Sequence, residues 1–288
     1  AVIEALDATR EITQSEQAQL FGACSGGIIS SMAASYLAAV GREQELAGLT
    51  LAVTVLDQAK AGLTGSLIDD SRAEVAIARS ARTGYLDGRQ LAEVFAWLRP
   101  NDLIWNYWVN NYLLGKKPPA FDILFWNADT TRMSAQLHRD FLEVALRNKL
   151  VHPGEATALG VPVDLGKVTV DSYIIGGISD HITPWEACYR STRLLGGKSR
   201  FILSTSGHIA ALVNPTSNTK SSFQTAEDNP ADPKAWQANA TTQPGSWWSD
   251  YTHWLSERSG ETVPAPTELG HGRFTPIAEA PGTYVHDK

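Results

Sequence analysis

Residues 20–32 read LFGACSGGIISSM, a strand-like apolar run that turns through three glycines straight into a helix pattern. Ile28, Ile29, Met32, Tyr36, Leu37 and Val40 recur at helical intervals, and Gly41 follows as a C-terminal cap. Glycines at such a corner let a strand and a helix approach to distances that a Cβ would forbid. The flanks agree. Val2, Ile3, Leu6 and Ile12 predict an amphipathic helix with one buried stripe, and "EQAQLFGAC" predicts a short strand. "LAGLTLAVTVLD", residues 46–57, is apolar on both faces, as in a strand covered on both sides within a parallel sheet. Helix, strand, turn, helix, strand is the alternation of an α/β fold.

The rhythm breaks between residues 58 and 150. Trp97, Trp105, Tyr107, Trp108, Tyr112, Phe121, Phe125 and Trp126 crowd this region, and Pro118–Pro119 interrupts any continuous helix. Such a segment is either the core of a helical subdomain or an aromatic-lined cap over a site. Alternation returns after residue 160: "KVTVDSYIIGG" and "SRFILSTSGHIAALVNP" each predict a strand running into a loop. Residues 214–245 are polar and predict a surface segment. Trp247, Trp248, Tyr251, Trp254 and Leu255 predict a packed last helix. The expected organisation is a first core segment over 1–57 with the glycine corner, a cap over 58–150, and a second core segment over 151–288.

With a net charge of −7 and no cluster of Lys and Arg, nucleic acid is an unsuitable partner. Two cysteines cannot form a disulfide framework, and a reducing cytoplasm is the simpler setting. No apolar run approaches the roughly 18 residues of a transmembrane helix, and no secretory signal opens the sequence. Because residue 1 is Ala and already falls inside a helix pattern, further chain upstream is expected.

The glycine corner has the form Gly-x-nucleophile-x-Gly, with Cys24 at its centre. Gly22, Gly26 and Gly27 supply the small neighbours, the helix start favours a thiolate, and the backbone N–H of Ser25 is placed as an oxyanion donor. In α/β-hydrolases an acid and then a histidine follow the nucleophile, each just beyond a strand. Asp180 follows "YIIGGIS" and His208 follows "FILSTSG", which satisfies that order. His181, beside Asp180, is expected to support the site or contact substrate, as is Trp126. The remaining histidines, 138, 152, 253, 271 and 286, are expected to be solvated or locally bonded. Cys188, in "PWEACYR", lacks the glycine turn and reads as a small buried apolar residue.

These motifs resemble the catalytic domain of the polyhydroxyalkanoate synthases. "GACSGG" is similar to that family's cysteine-bearing lipase box, "FDILFWNADTTRM" to its cap signature, "GGISDHITPW" to its aspartate loop and "STSGHIAALVNP" to its histidine loop. "GSWWSDYTHWLSERSG" and "APGTYV" resemble its C-terminal segments. The resemblance implies an α/β-hydrolase-like, mostly parallel sheet with an aromatic-rich helical cap. It implies an acyltransferase that polymerises 3-hydroxyacyl-CoA with release of CoA, without a cofactor or metal. Cys24 would carry the growing polyester as a thioester, with His208 as base and Asp180 as acid. A homodimer at the surface of cytoplasmic granules is also implied. "GACSGG" is closer to the box of the medium-chain class. The second oxyanion donor is expected from a loop upstream of this sequence. Two alternatives are a cysteine hydrolase of the dienelactone hydrolase kind, and an inactive fragment with a granule-binding role.

Overall fold

The computed structural model describes residues 1–60, 69–98, 100–118, 130–283 and 286. Its centre is a six-stranded sheet whose strands lie side by side in chain order. They are β1 (Ala18–Ala23), β2 (Leu46–Ala52), β3 (Ser172–Gly177), β4 (Ser199–Ser204), β5 (Ser222–Thr225) and β6 (Thr241–Pro244). The first four are parallel, and β5 and β6 add antiparallel at one edge. β1 is the other edge.

Side chains leave a strand alternately to its two faces, and here the alternation sorts two cores. Ile174 of β3 and Phe201 and Leu203 of β4 pack with Leu37, Tyr189 and Trp236 on one face. Tyr173, Ile175 and Ile202 pack with Trp247, Tyr251 and Trp254 on the other. The first face is covered by α1 (Val2–Thr13), α2 (Ser25–Ala39), α6 (Trp185–Tyr189) and α8 (Pro233–Asn239). The second is covered by α9 (Trp248–Ser256), fastened by Asp250, which accepts hydrogen bonds from Tyr173 Oη at 2.9 Å and from Arg200. Burying a large apolar side chain contributes roughly 1.5–3 kcal/mol, and Trp236, Trp247, Tyr173 and Phe201 are all fully buried.

Between β2 and β3 the chain makes a long helical excursion through α3 (Asp70–Thr83), α4 (Gly88–Leu98) and α5 (Ala135–Leu146). After α4, residues 101–105 and 108–113 wind as π-helix. A two-residue ribbon pairs Tyr85–Leu86 with Met133–Ser134 and joins the two parts. α7 (His208–Leu212) follows β4.

Two expectations need correction. The polar 214–245 stretch is not merely surface: it supplies both antiparallel strands and α8, and it buries Phe223 and Trp236. Its polar residues satisfy sheet edges and caps, so polarity was a poor guide to burial. In α1 the expected buried stripe is shorter than the sequence implies: Leu6 is buried and Ile3 packs partly buried against the core, but Ile12 is exposed. On the excursion Trp97, Trp105, Trp108 and Tyr112 are exposed, Tyr112 by 71%. Phe121, Phe125 and Trp126 lie outside the described residues.

Candidate active site

β1 runs into α2 through Cys24, whose backbone stands at φ 51° and ψ −121°. Residues other than glycine rarely hold a positive φ, and they do so where the surroundings over-determine it. The surroundings here are specific. Cys24 N–H donates to Ala52 O at 2.8 Å, extending the β1–β2 ladder to the nucleophile position, and Gly27 N–H donates to Cys24 O at 3.0 Å. A Cβ on Gly22 would lie 2.6 Å from Gly27 Cα, and one on Gly27 would lie 2.0 Å from Thr54 Oγ1. Gly22 and Gly27 therefore permit the close approach. Gly26 does not share that role, since a Cβ there would meet nothing within 4 Å. It sits on the open side of the first helical turn, next to exposed Ser25.

Thr54 supports the same turn. Val53, a β-branched residue, takes φ 45° at the end of β2, and this bend brings the Thr54 hydroxyl within 3.1 Å of Cys24 O.

Beyond the ends of β3 and β4 stand Asp180 and His208. His208 Nδ1 donates to Asp180 Oδ2 at 2.7 Å. Asp180 Oδ1 accepts from the N–H groups of Ile182 at 2.9 Å and Thr183 at 3.0 Å, and Oδ2 also accepts from Thr183 Oγ1 at 2.7 Å. Burial by itself would raise the Asp180 pKa, but the hydrogen bonds from His208 and Thr183 outweigh it and hold the carboxyl below its ordinary value. For His208, burial works toward a lower pKa. The hydrogen bonds and charges of Asp180 and Cys24 overcome it and raise the imidazole to about 9. Cys24, at the end of β1, thus acts on His208, after β4, although the two are distant in sequence. With Nδ1 engaged on the carboxylate, Nε2 is the nitrogen left for the thiol.

α7 begins at His208 itself, and its far end is held by α9: Trp247 Nε1 donates to Ala211 O at 2.7 Å and Trp248 Nε1 to Leu212 O at 2.8 Å. The tryptophans that read as packing residues also fix the histidine-bearing helix.

Among the expected site residues, Asp180 and His208 are hydrogen-bonded, Cys24 and Ser25 form the elbow at the end of β1, and His181 is half-buried in the loop beside Asp180. Cys188 is buried under that loop, with Sγ 3.6 Å from Thr183 O, and burial pushes its thiol pKa far up. His138 is buried and bonded to Ser80 Oγ at 2.9 Å. Sequence reasoning missed Thr183 and Thr54. The Asp-x-x-Thr spacing of 180–183 could have signalled the first, because a carboxylate and a hydroxyl three residues apart close a turn. Nothing in sequence marks Thr54. Among the described residues no group of three or more His, Cys, Asp or Glu could hold a metal ion.

A cysteine at a glycine-flanked elbow after one strand, then a buried carboxylate and an imidazole after two later ones, is the arrangement of a known fold family. The alpha/beta hydrolase fold model matches residues 1–215. The chain belongs to the α/β-hydrolase fold family. Among curated relatives, the chain is 49% identical over its full 288 residues to "Poly(3-hydroxyalkanoate) polymerase 1" of Ectopseudomonas oleovorans, covering 51% of that protein. It is 42% identical to "Poly(3-hydroxyalkanoate) polymerase subunit PhaC" of Cupriavidus necator, covering 100% of this chain and 50% of that one. The chain thus spans about half the length of the curated relatives it matches. A solved monoacylglycerol lipase of Paleococcus ferrophilus aligns at TM-score 0.39 and 16% identity, over 72% of this chain and 65% of the lipase. At that score the likeness adds nothing to the family assignment.

Proposed function

We propose that this chain carries the acyl-transfer site of a polyhydroxyalkanoate synthase, which polymerises 3-hydroxyacyl-CoA and releases CoA. The observation that carries the reading is the hydrogen bond between His208 Nδ1 and Asp180 beyond the ends of β3 and β4, with Cys24 at the end of β1 raising the same imidazole's pKa. The relatives named as polymerases supply the reaction class.

In this reading His208 takes the proton of Cys24, and the sulfur bonds to the acyl carbon of the CoA thioester. The bond from that carbon to CoA sulfur breaks, and CoA leaves with the proton held by His208. A hydroxyl, from a monomer or a chain end, then attacks the acyl-enzyme; its oxygen replaces Cys24 sulfur and its proton returns the thiol. Either His208 or Asp180 could in principle take that hydroxyl proton. Both carboxylate oxygens of Asp180 are occupied by donors and its side chain is buried, which favours His208. Exchange between thioesters is close to isoenergetic, so cysteine suits a site that must pass its acyl group on. The backbone N–H of Ser25 stabilises the oxyanion, His181 and Trp126 contact substrate, and residues 58–150 act as a cap. Removing one oxyanion donor typically costs about 10²–10³ in rate. A homodimer at the surface of cytoplasmic granules completes the reading.

Supplying 3-hydroxybutyryl-CoA tests it. CoA release with insoluble polymer is expected; release with free acid would mark a hydrolase, and no release an inactive chain. Cys24→Ala should abolish release and Cys188→Ser should leave it. A dead Cys188→Ser variant beside an active Cys24→Ala would overturn the assignment.

A further inference from the structure

One hydroxyl touches both members of the buried acid–histidine pair. Thr183 Oγ1 lies 2.7 Å from Asp180 Oδ2 and 3.1 Å from His208 Nδ1, and those two atoms lie 2.7 Å from each other. The three atoms form a closed triangle, and the protons in it can be assigned. Burial acts to raise the Asp180 pKa, but hydrogen bonds from His208 and Thr183 more than offset it, so the carboxylate is ionised and can only accept. The single proton of the hydroxyl therefore goes to Oδ2, which leaves only lone pairs facing the ring. Nδ1 must then carry a proton, shared between Oδ2 and Oγ1.

The hydroxyl is not what brings the two loops together. Ile178 N–H donates to Ser204 O at 2.9 Å and Ser179 N–H to Ser206 O at 3.0 Å, so backbone bonds already tie the acid loop to the histidine loop. Nor does Asp180 depend on it for donors, since Oδ1 accepts from the N–H groups of Ile182 and Thr183 and Oδ2 from His208. What remains for the hydroxyl is the ring itself. The χ2 torsion of histidine is broad, and a single acceptor on Nδ1 leaves the ring free to swing about that contact. A second acceptor beside the first defines the ring plane. Thr183 is itself held from behind: it is buried, its carbonyl accepts from Cys188 Sγ at 3.6 Å, and Pro184, the cap of α6, follows directly.

We propose that Thr183 is a positioning residue: its hydroxyl, donor to Asp180 and second acceptor for His208 Nδ1–H, fixes the plane of the imidazole and so aims Nε2 toward Cys24. The inference rests on the acyl-transfer reading above and names how the base of that site is oriented. Nδ1–H stays in place through the cycle. The proton taken from the Cys24 thiol, and later carried off with CoA, is the one on Nε2. Thr183 acts only through the ring.

The test uses the whole chain with Thr183→Val, which removes the hydroxyl but keeps the shape and the backbone N–H. Thr183→Ala is a second variant without the hydroxyl, and Thr183→Ser is the conservative variant that retains it. The imidazole of His208 is titrated by NMR with and without Cys24→Ala. Burial acts to lower the His208 pKa, and Asp180 and Cys24 raise it, so Cys24→Ala should lower the titration midpoint in the native chain and in Thr183→Ser. In Thr183→Val and Thr183→Ala that shift should shrink to half or less. With 3-hydroxybutyryl-CoA, the maximal rate of CoA release should fall at least tenfold in those two variants, with KM changed less than twofold. Thr183→Ser should stay within threefold of the native rate. A Cys24→Ala shift of undiminished size in a folded Thr183→Val or Thr183→Ala chain would overturn the proposal, as would a Thr183→Ser chain as slow as Thr183→Val. So would failure of both hydroxyl-free variants to fold, which would make the hydroxyl a folding group. If the unaltered chain releases no CoA, the acyl-transfer reading fails by itself, and Thr183 is judged on the titration alone.

Discussion

At the scale of single residues, the site depends on a proton held between buried partners. The imidazole of His208 titrates at about 9 in the folded chain, against about 6.5 for an unperturbed histidine. The folded state therefore binds that proton more tightly than the unfolded state does. Its contribution to stability is fully present below about pH 6.5 and is lost as pH rises through about 9. The melting midpoint should accordingly fall over that window. Asp180→Asn, which removes a charge and an acceptor from the pair, should show a shallower fall. Equal slopes in the two proteins would mean that the Asp180–His208 contact is not what raises the imidazole. Cys24, Asp180 and His208 were legible as candidates because each stands just past an apolar strand. The hydroxyls that hold them, Thr183 on Asp180 and Thr54 on Cys24 O, were not, because threonine is common and only proximity gives it a role.

At the scale of elements, the elbow joins β1 to α2 with almost no free space. Gly27→Ala would drive a Cβ to 2.0 Å from Thr54 Oγ1, whereas Gly26→Ala meets open space. Overpacking of that kind costs typically 1–3 kcal/mol, so Gly27→Ala should lower the midpoint of thermal unfolding by several degrees. Gly26→Ala should be neutral or slightly stabilising, since alanine is the better helix former by roughly 0.5–1 kcal/mol. If the two variants melted alike, the close approach would not be what glycine provides at position 27. From sequence the two were indistinguishable: both stand beside the cysteine, and only the crossing angle of helix on strand says which one faces β2. The same limit hid β5, β6 and α8, whose polar residues serve an edge and its caps.

At the scale of the whole molecule, large apolar side chains stand exposed on the excursion, and among the described residues one edge of the sheet is β1. Trp97, Trp105, Trp108 and Tyr112 are exposed on the excursion, Phe21 is exposed on β1, and β1 has a paired neighbour on one side only. Exposed apolar patches of this kind bind apolar probes. The native chain should enhance the fluorescence of a hydrophobic dye, and replacing Trp97, Trp108 and Tyr112 together by glutamine should remove most of that enhancement. Undiminished dye binding in the triple variant would place the apolar surface elsewhere. Sequence by itself determined the α/β alternation, the elbow and the order of nucleophile, acid and histidine, because these follow from local periodicity and from chemistry attached to strand ends. Tertiary structure alone decided that His208 reaches Asp180, that Trp97, Trp105, Trp108 and Tyr112 are exposed, and that Asn148 hydrogen-bonds Asp57. Those outcomes depend on distances between segments that no local pattern encodes.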